Sequence, residues 1–150
     1  MFEIVKNLIL SKDVCVLATI NKDRPHCSLM AYVADEDCRR LYMATRSDTR
    51  KWLNLQNNPN ASLLIDSRGD EPAPARVSAK ALTISGRRTS LGEGELVTAA
   101  RKLGERHAHL AEFLQDPLVR LICIECESFL LLEGVSKSHY IEMPKKKQAV

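Results

Sequence analysis

Between Thr45 and Lys51 the chain places three cations and three hydroxyls within seven residues: Thr45, Arg46, Ser47, Asp48, Thr49, Arg50 and Lys51. The run Arg40–Thr45 before it alternates like a strand, and Trp52 and Leu55 after it are spaced like one face of a helix. The cluster therefore falls where a strand ends and a helix begins. The first turn of a helix leaves backbone N–H groups without partners and carries partial positive charge. Basic side chains there oppose that dipole and call for a compensating anion. Arginine grips an oxyanion with two parallel donors, lysine adds a point charge, and hydroxyls orient the remaining oxygens. The ligand class this chemistry suits is a phosphate monoester. The plainer alternative is that Ser47 or Asp48 caps an ordinary helix while the cations sit in water.

Other candidates are weaker. His26 follows a turn and titrates near neutrality, so it is a candidate proton donor, although a half-exposed strand histidine without a catalytic role has the same appearance. Cys27 alternates with it and should face the other side of the sheet. Cys123-Ile124-Glu125-Cys126 has the C-x-x-C spacing, but residues three apart on a strand point to opposite faces, and no second such pair exists. His107 and His109 diverge by about 200° on a helix, which argues against a shared metal. Glu125 and Glu127 share a face only if their strand is regular. Gly92-Glu93-Gly94 lacks the third glycine of a dinucleotide fingerprint. Trp52 should pack between helix and sheet. No metal site is expected.

These residues need a scaffold. Phe2, Ile4, Val5, Leu8 and Ile9 predict a first helix, ending near Ser11–Asp13. Strands follow over Val14–Ile20, His26–Ala34 and Arg40–Thr45, joined by the polar turns Asn21–Pro25 and Asp35–Asp37. A helix over about Asp48–Gln56 stops at Asn57-Asn58-Pro59-Asn60. Ala61–Asp66 and a stretch from Val77 to Gly86 read as strands around an exposed hairpin loop, Arg68–Pro74. Ser90-Leu91-Gly92-Glu93 matches a capping box for a helix running through Phe113. Leu118–Glu125 and Phe129–Glu133 are two final strands, with broken continuation to Ile141. Successive antiparallel strands with helices at their margin predict an α+β fold, an antiparallel barrel or strongly curled sheet of about six to seven strands.

Composition sets limits on function. The chain has 150 residues, 45% hydrophobic and 27% charged, with only 5% aromatic. That length suits one domain, residues 1–150, with the last eight or so as a tail. The net charge of +3 resides in the second half, where Lys145, Lys146 and Lys147 match the whole excess. A terminal lysine run without interleaved aromatics gives little basis for nucleic-acid binding. No apolar stretch approaches the length of a membrane span, and Met1–Leu10 lacks the basic start of a secretory signal. Five cysteines at irregular spacing suit reduced thiols in the cytoplasm.

The ordered set of segments resembles the pyridoxamine 5′-phosphate oxidase-like flavoproteins. The likeness runs from Val16-Leu17-Ala18-Thr19-Ile20 and Arg24-Pro25-His26-Cys27-Ser28-Leu29 through Thr45–Lys51 and Asn57-Asn58-Pro59-Asn60-Ala61 to Ala81-Leu82-Thr83-Ile84-Ser85-Gly86. The resemblance implies a split β-barrel that dimerises with FMN at the subunit interface. It implies that Thr45, Arg46, Ser47, Thr49, Arg50 and Lys51 hold the phosphate and ribityl chain. It further implies that His26, Cys27, Ser28, Leu29 and Met30 line the isoalloxazine through their backbone. Alanine at position 81 and the ending Ile141–Val150 depart from true pyridoxamine-phosphate oxidases. The expectation is a small generic member, an FMN-dependent oxidoreductase acting on an unassigned small-molecule substrate or electron donor. The alternative is a non-catalytic cofactor-binding or sensing module for FMN or haem, with His26, His107, His109 and His139 as iron-ligand candidates.

Overall fold

A computed structural model describes residues 1–70, 72 and 78–145. Helix α1 (Phe2–Ser11) precedes four strands, β1 (Val14–Asn21), β2 (Arg24–Ala31), β3 (Val33–Ala34) and β4 (Arg40–Arg46). Helix α2 (Arg50–Asn57) leads to β5 (Asn60–Asp66) and β6 (Lys80–Thr89). Helix α3 (Glu93–Arg106) and two short 3₁₀ turns precede β7 (Val119–Glu133) and β8 (Lys137–Glu142). The strands form one antiparallel sheet in the order β2-β1-β5-β6-β7-β4-β3, with β8 added along β7. This is the α+β split-barrel plan that the sequence predicts.

Alternation fills the interior. Cys15, Leu17 and Thr19 of β1 point inward, as do Leu41, Met43 and Thr45 of β4 and Leu63 and Ile65 of β5. They meet Leu82 and Ile84 of β6 and the inward face of β7. Helix α1 covers one mouth with Val5, Leu8 and Ile9, and the buried Tyr32 hydroxyl donates to the Ile9 carbonyl at 2.5 Å. Arg106, at the end of α3, donates to the Leu10 and Lys12 carbonyls at 3.4 and 3.2 Å, closing the otherwise open end of α1.

Several boundaries differ from expectation for identifiable reasons. Leu118–Glu125 and Phe129–Glu133 are one strand, not two. Ser85 faces Ser128 while Gly86 faces Cys126, so Glu127 is an extra residue, a β-bulge. The bulge moves the inward residues from Ile122, Ile124 and Cys126 to Phe129 and Leu131. That change of parity looks like a break in a linear pattern. Gly86 is required at the crossing point, because a Cβ there would lie 2.4 Å from the Glu125 carbonyl oxygen.

Helix α3 begins at Glu93 rather than at Leu91. Its N-cap is Gly92, which has no side chain to offer, so only the reciprocal half of the box forms: the Gly92 N–H donates to the Glu95 carboxylate at 3.2 Å. The helix ends at Arg106, where the His107 ring is drawn inward to the Tyr32 carbonyl at 2.9 Å, and the chain continues to Gln115 as 3₁₀ turns. The run His26–Ala34 is interrupted at Tyr32, whose N–H donates to Asp13. The expected strand start at Val77 and the loop's Glu71, Ala73 and Pro74 lie outside the described residues, as do Lys146 and Lys147.

Candidate functional site

Strand β4 delivers the cation-and-hydroxyl cluster, and a short turn then reverses the chain into α2. The N-cap is Thr49, not Ser47 or Asp48. Its hydroxyl donates to the Arg46 carbonyl at 2.9 Å and accepts the Trp52 N–H at 3.4 Å. Because that proton is already committed, the buried Thr45 hydroxyl is the donor in the 2.9 Å contact between the two threonines. Ser47 is held by its backbone, its N–H donating to the Leu118 carbonyl at 2.8 Å.

Helix α2 is fixed on β1 by a buried polar contact, in which Asn54 Nδ2 donates to Thr19 Oγ1 at 3.0 Å. Thr19 pairs across the hairpin with His26, and cross-strand partners share a face. His26 therefore lies on the α2 side of the sheet, where the two elements enclose a recess of about 300 Å³ lined by Asn21, Arg24, Pro25, His26 and Arg50. Ser28 and Met30 follow His26 on this face, with Ser28 Oγ 3.3 Å from His26 Nε2. Cys27 and Leu29 point the other way and are exposed. Trp52 packs against the core from α2, as expected, and the Arg88 guanidinium sits 5.2 Å above its ring.

The three cations of the cluster have different surroundings. The Arg46 guanidinium meets Asp48 through two nitrogens, at 3.1 and 3.0 Å, and Asp116 through the third, at 2.6 Å. Asp48 and, next, Asp116 hold Arg46 protonated, while Arg46 in turn lowers the Asp48 carboxyl below its ordinary range. Arg50 and Lys51 have no side-chain ion pair or hydrogen bond among the described residues. Their backbone N–H groups likewise have no acceptor there. Two free cations and two free amides at one helix start match the donors that a phosphate monoester requires. Arg24 adds a second cation to the recess beside Arg50; sequence reasoning missed it because only the hairpin brings it opposite α2.

A larger recess, about 950 Å³, lies instead along β6, β7 and β8, between Arg87, Arg88, Glu125, Glu127, Tyr140 and Lys145. Its charges are of both signs, and it contains none of residues 45–51, so the cation chemistry belongs to the smaller recess. The bulge at Glu127 removes the regular spacing that would have paired Glu125 with Glu127. Cys126 faces the core, whereas Cys123 is buried outside the core cluster, so the two thiols part as strand alternation demands. His107 is bound to the Tyr32 carbonyl and meets His109 edge-on at 5.9 Å. No group of three metal-ligating side chains occurs among the described residues. No helix among them is long and apolar enough to cross a membrane.

Residues 1–132 match the protein family described as pyridoxamine 5′-phosphate oxidase. No curated protein matches the sequence. The fold is similar to that of a heme binding protein from Mycobacterium smegmatis, with a TM-score of 0.84, 17% identity, and 94% of this chain aligned to 57% of that one. It is also similar to HutZ, the heme storage protein from Vibrio cholerae (TM-score 0.71, 20% identity, covering 88% of this chain and 93% of that one). A FAD-binding protein from Mesorhizobium loti is comparable (TM-score 0.71, 16% identity, covering 91% and 95%). The chain thus spans a little over half the length of the Mycobacterium protein. At these identities the structural likeness concerns the fold alone.

Proposed function

The chain belongs to the pyridoxamine 5′-phosphate oxidase family, and on that basis we propose that it binds FMN at the amino end of α2 and serves as a flavin-dependent oxidoreductase. The observation that carries this reading is the pair of unpartnered cations, Arg50 and Lys51, above two free backbone amides, with Arg50 in the same recess as His26. A phosphate monoester carries about −1.5 to −2 charge at pH 7. Arg50 and Lys51 neutralise it, while Thr45, Ser47 and Thr49 fix the turn that presents them.

Strand β2 ends the sheet order, so one of its backbone edges has no strand partner among the described residues. Residues His26 to Met30 on that strand supply N–H and C=O groups for the polar edge of the isoalloxazine, and a second copy of the chain closes over it as a homodimer. Bound there, FMN supplies hydride or electron transfer. The protein positions the ring, and His26, with Ser28 beside it, holds a proton near it. The substrate or electron donor is a small molecule. Free thiols at all five cysteines suit a reducing compartment such as the cytoplasm.

The test is an absorption spectrum of the purified chain after dialysis against excess FMN. A retained flavin spectrum, lost in the Arg50→Ala/Lys51→Ala variant, is the expected result. A protein that stays colourless would overturn the reading. A second reading, a haem-holding module, has the heme-binding and heme-storage neighbours in its favour and His26 in the recess. A Soret band on adding haem to the wild-type chain, lost in His26→Ala and with no flavin retained, would select it.

A further inference from the structure

We propose that Arg46 is a positioning residue and not a phosphate contact: clamped between Asp48 and Asp116, it fixes the turn that presents Arg50 and Lys51 to the anion. The inference rests on the phosphate-site reading above. Each Arg46 guanidinium nitrogen already faces a carboxylate oxygen at 2.6–3.1 Å. One guanidinium between two carboxylates carries local net charge of −1, so a phosphate approaching it meets like charge before it meets a donor.

The clamp reaches further than its own ion pairs. Asp116 gives one oxygen to Arg46 and the other to the Leu118 N–H at 2.8 Å, while the Leu118 carbonyl accepts the Ser47 N–H at 2.8 Å. Residues 46–48 and 116–118 are thereby joined through side chain and backbone together. The Arg46 carbonyl also receives both the N–H and the hydroxyl of Thr49, at 3.2 and 2.9 Å. Rotation of Arg46 therefore moves the cap of α2 and the two cations that follow it. The side chains of Arg46 and Asp116 are 39% and 29% exposed. Ion pairs that open to water add little stability, so the effect of this one falls on orientation.

The experiment compares Arg46→Ala, Arg46→Lys, Asp116→Ala and Arg46→Ala/Asp116→Ala in the full chain. It reads FMN and riboflavin affinity, the thermal midpoint, and amide exchange at Thr49 and Trp52 without ligand. Losing one charge-assisted contact of this kind should weaken FMN about tenfold. The expected pattern is equal losses for both alanine variants, no further loss in the double, no rescue by lysine, unchanged riboflavin affinity, and faster amide exchange in each. A direct phosphate contact predicts the reverse for Asp116→Ala, which frees the guanidinium and leaves FMN binding unchanged or tighter; that result would overturn the proposal. Failure of wild-type protein to bind FMN would sink the flavin reading alone. Amide exchange in the ligand-free chain still decides the clamp: unchanged exchange at Thr49 and Trp52 would refute it.

Discussion

The interior between β6 and β7 and the rim where α2 meets β2 use the same strand alternation to opposite ends. Along β6 and β7 every inward residue is covered: Leu82, Ile84, Phe129 and Leu131 are all fully buried. No buried side-chain nitrogen or oxygen among the described residues lacks a hydrogen-bond partner. At the rim, β2 buries only Met30, Leu29 is 75% exposed, and Arg50 and Lys51 have no counter-charge among the described residues. The same distinction separates the cations of the cluster themselves, since Arg46 is saturated by carboxylates and its neighbours are not. Saturated groups hold a fold together; unsaturated ones at the rim are where a ligand or a second subunit changes the energy.

The largest effect that would sharpen this contrast is Phe129→Ala. Phe129 is fully buried and packs against Phe2 with ring centres 5.6 Å apart and planes tilted by 58°. Its truncation should cost about 3–5 kcal/mol in urea unfolding. Gly86→Ala drives a methyl group into the Glu125 carbonyl and should cost roughly 1–3 kcal/mol or more, read from the same titration. Tyr32→Phe strands the Ile9 carbonyl and should lose about 1–3 kcal/mol. At the rim, Arg50→Ala/Lys51→Ala should shift stability by no more than about 0.5 kcal/mol while abolishing FMN retention. A large loss of stability there would break the contrast.

The smallest effect is chemical. Burial pushes the Cys15 and Cys123 thiols up to about 12 and Cys38 to about 11, and raises Cys126 as well. In native protein near pH 8 an aromatic disulfide reagent should modify only the exposed Cys27; in denaturant it should modify all five cysteines. Because the folded pKa values lie above those of free thiols, the buried thiols' contribution to stability is intact below about pH 8.5 and declines above it.

Much of this was legible in the sequence wherever one period dominated. Alternation marked β1, β4 and β5 to within a residue or two, and the order of elements led to an antiparallel barrel or curled sheet, which the family resemblance narrowed to the split barrel. The strand-to-helix junction was also visible, because cations and hydroxyls rarely crowd a helix start. What the linear pattern concealed were effects of tertiary partners. Thr49 displaces Ser47 and Asp48 as the cap because its hydroxyl accepts the Trp52 N–H while donating to the Arg46 carbonyl. Asp116, seventy residues further along the chain from Arg46, gave no hint that it would occupy that guanidinium. Arg24 reaches the recess only through the pairing of Asn21 with Arg24.

Glu127 spends no side chain on the interior, yet the facing of six residues depends on its being left out of the ladder. Were the bulge flattened with Glu127 taken into the ladder, 128–133 would turn inside out, sending Phe129 and Leu131 to the solvent and Leu130 and Leu132 to the centre, with the β8 ladder inverted alongside. Deleting Glu127 would instead set Cys126 and Phe129 two apart on a regular strand, both still inward, so the facing of this half of the strand depends on the kink at Glu127 and not on the length of the chain there.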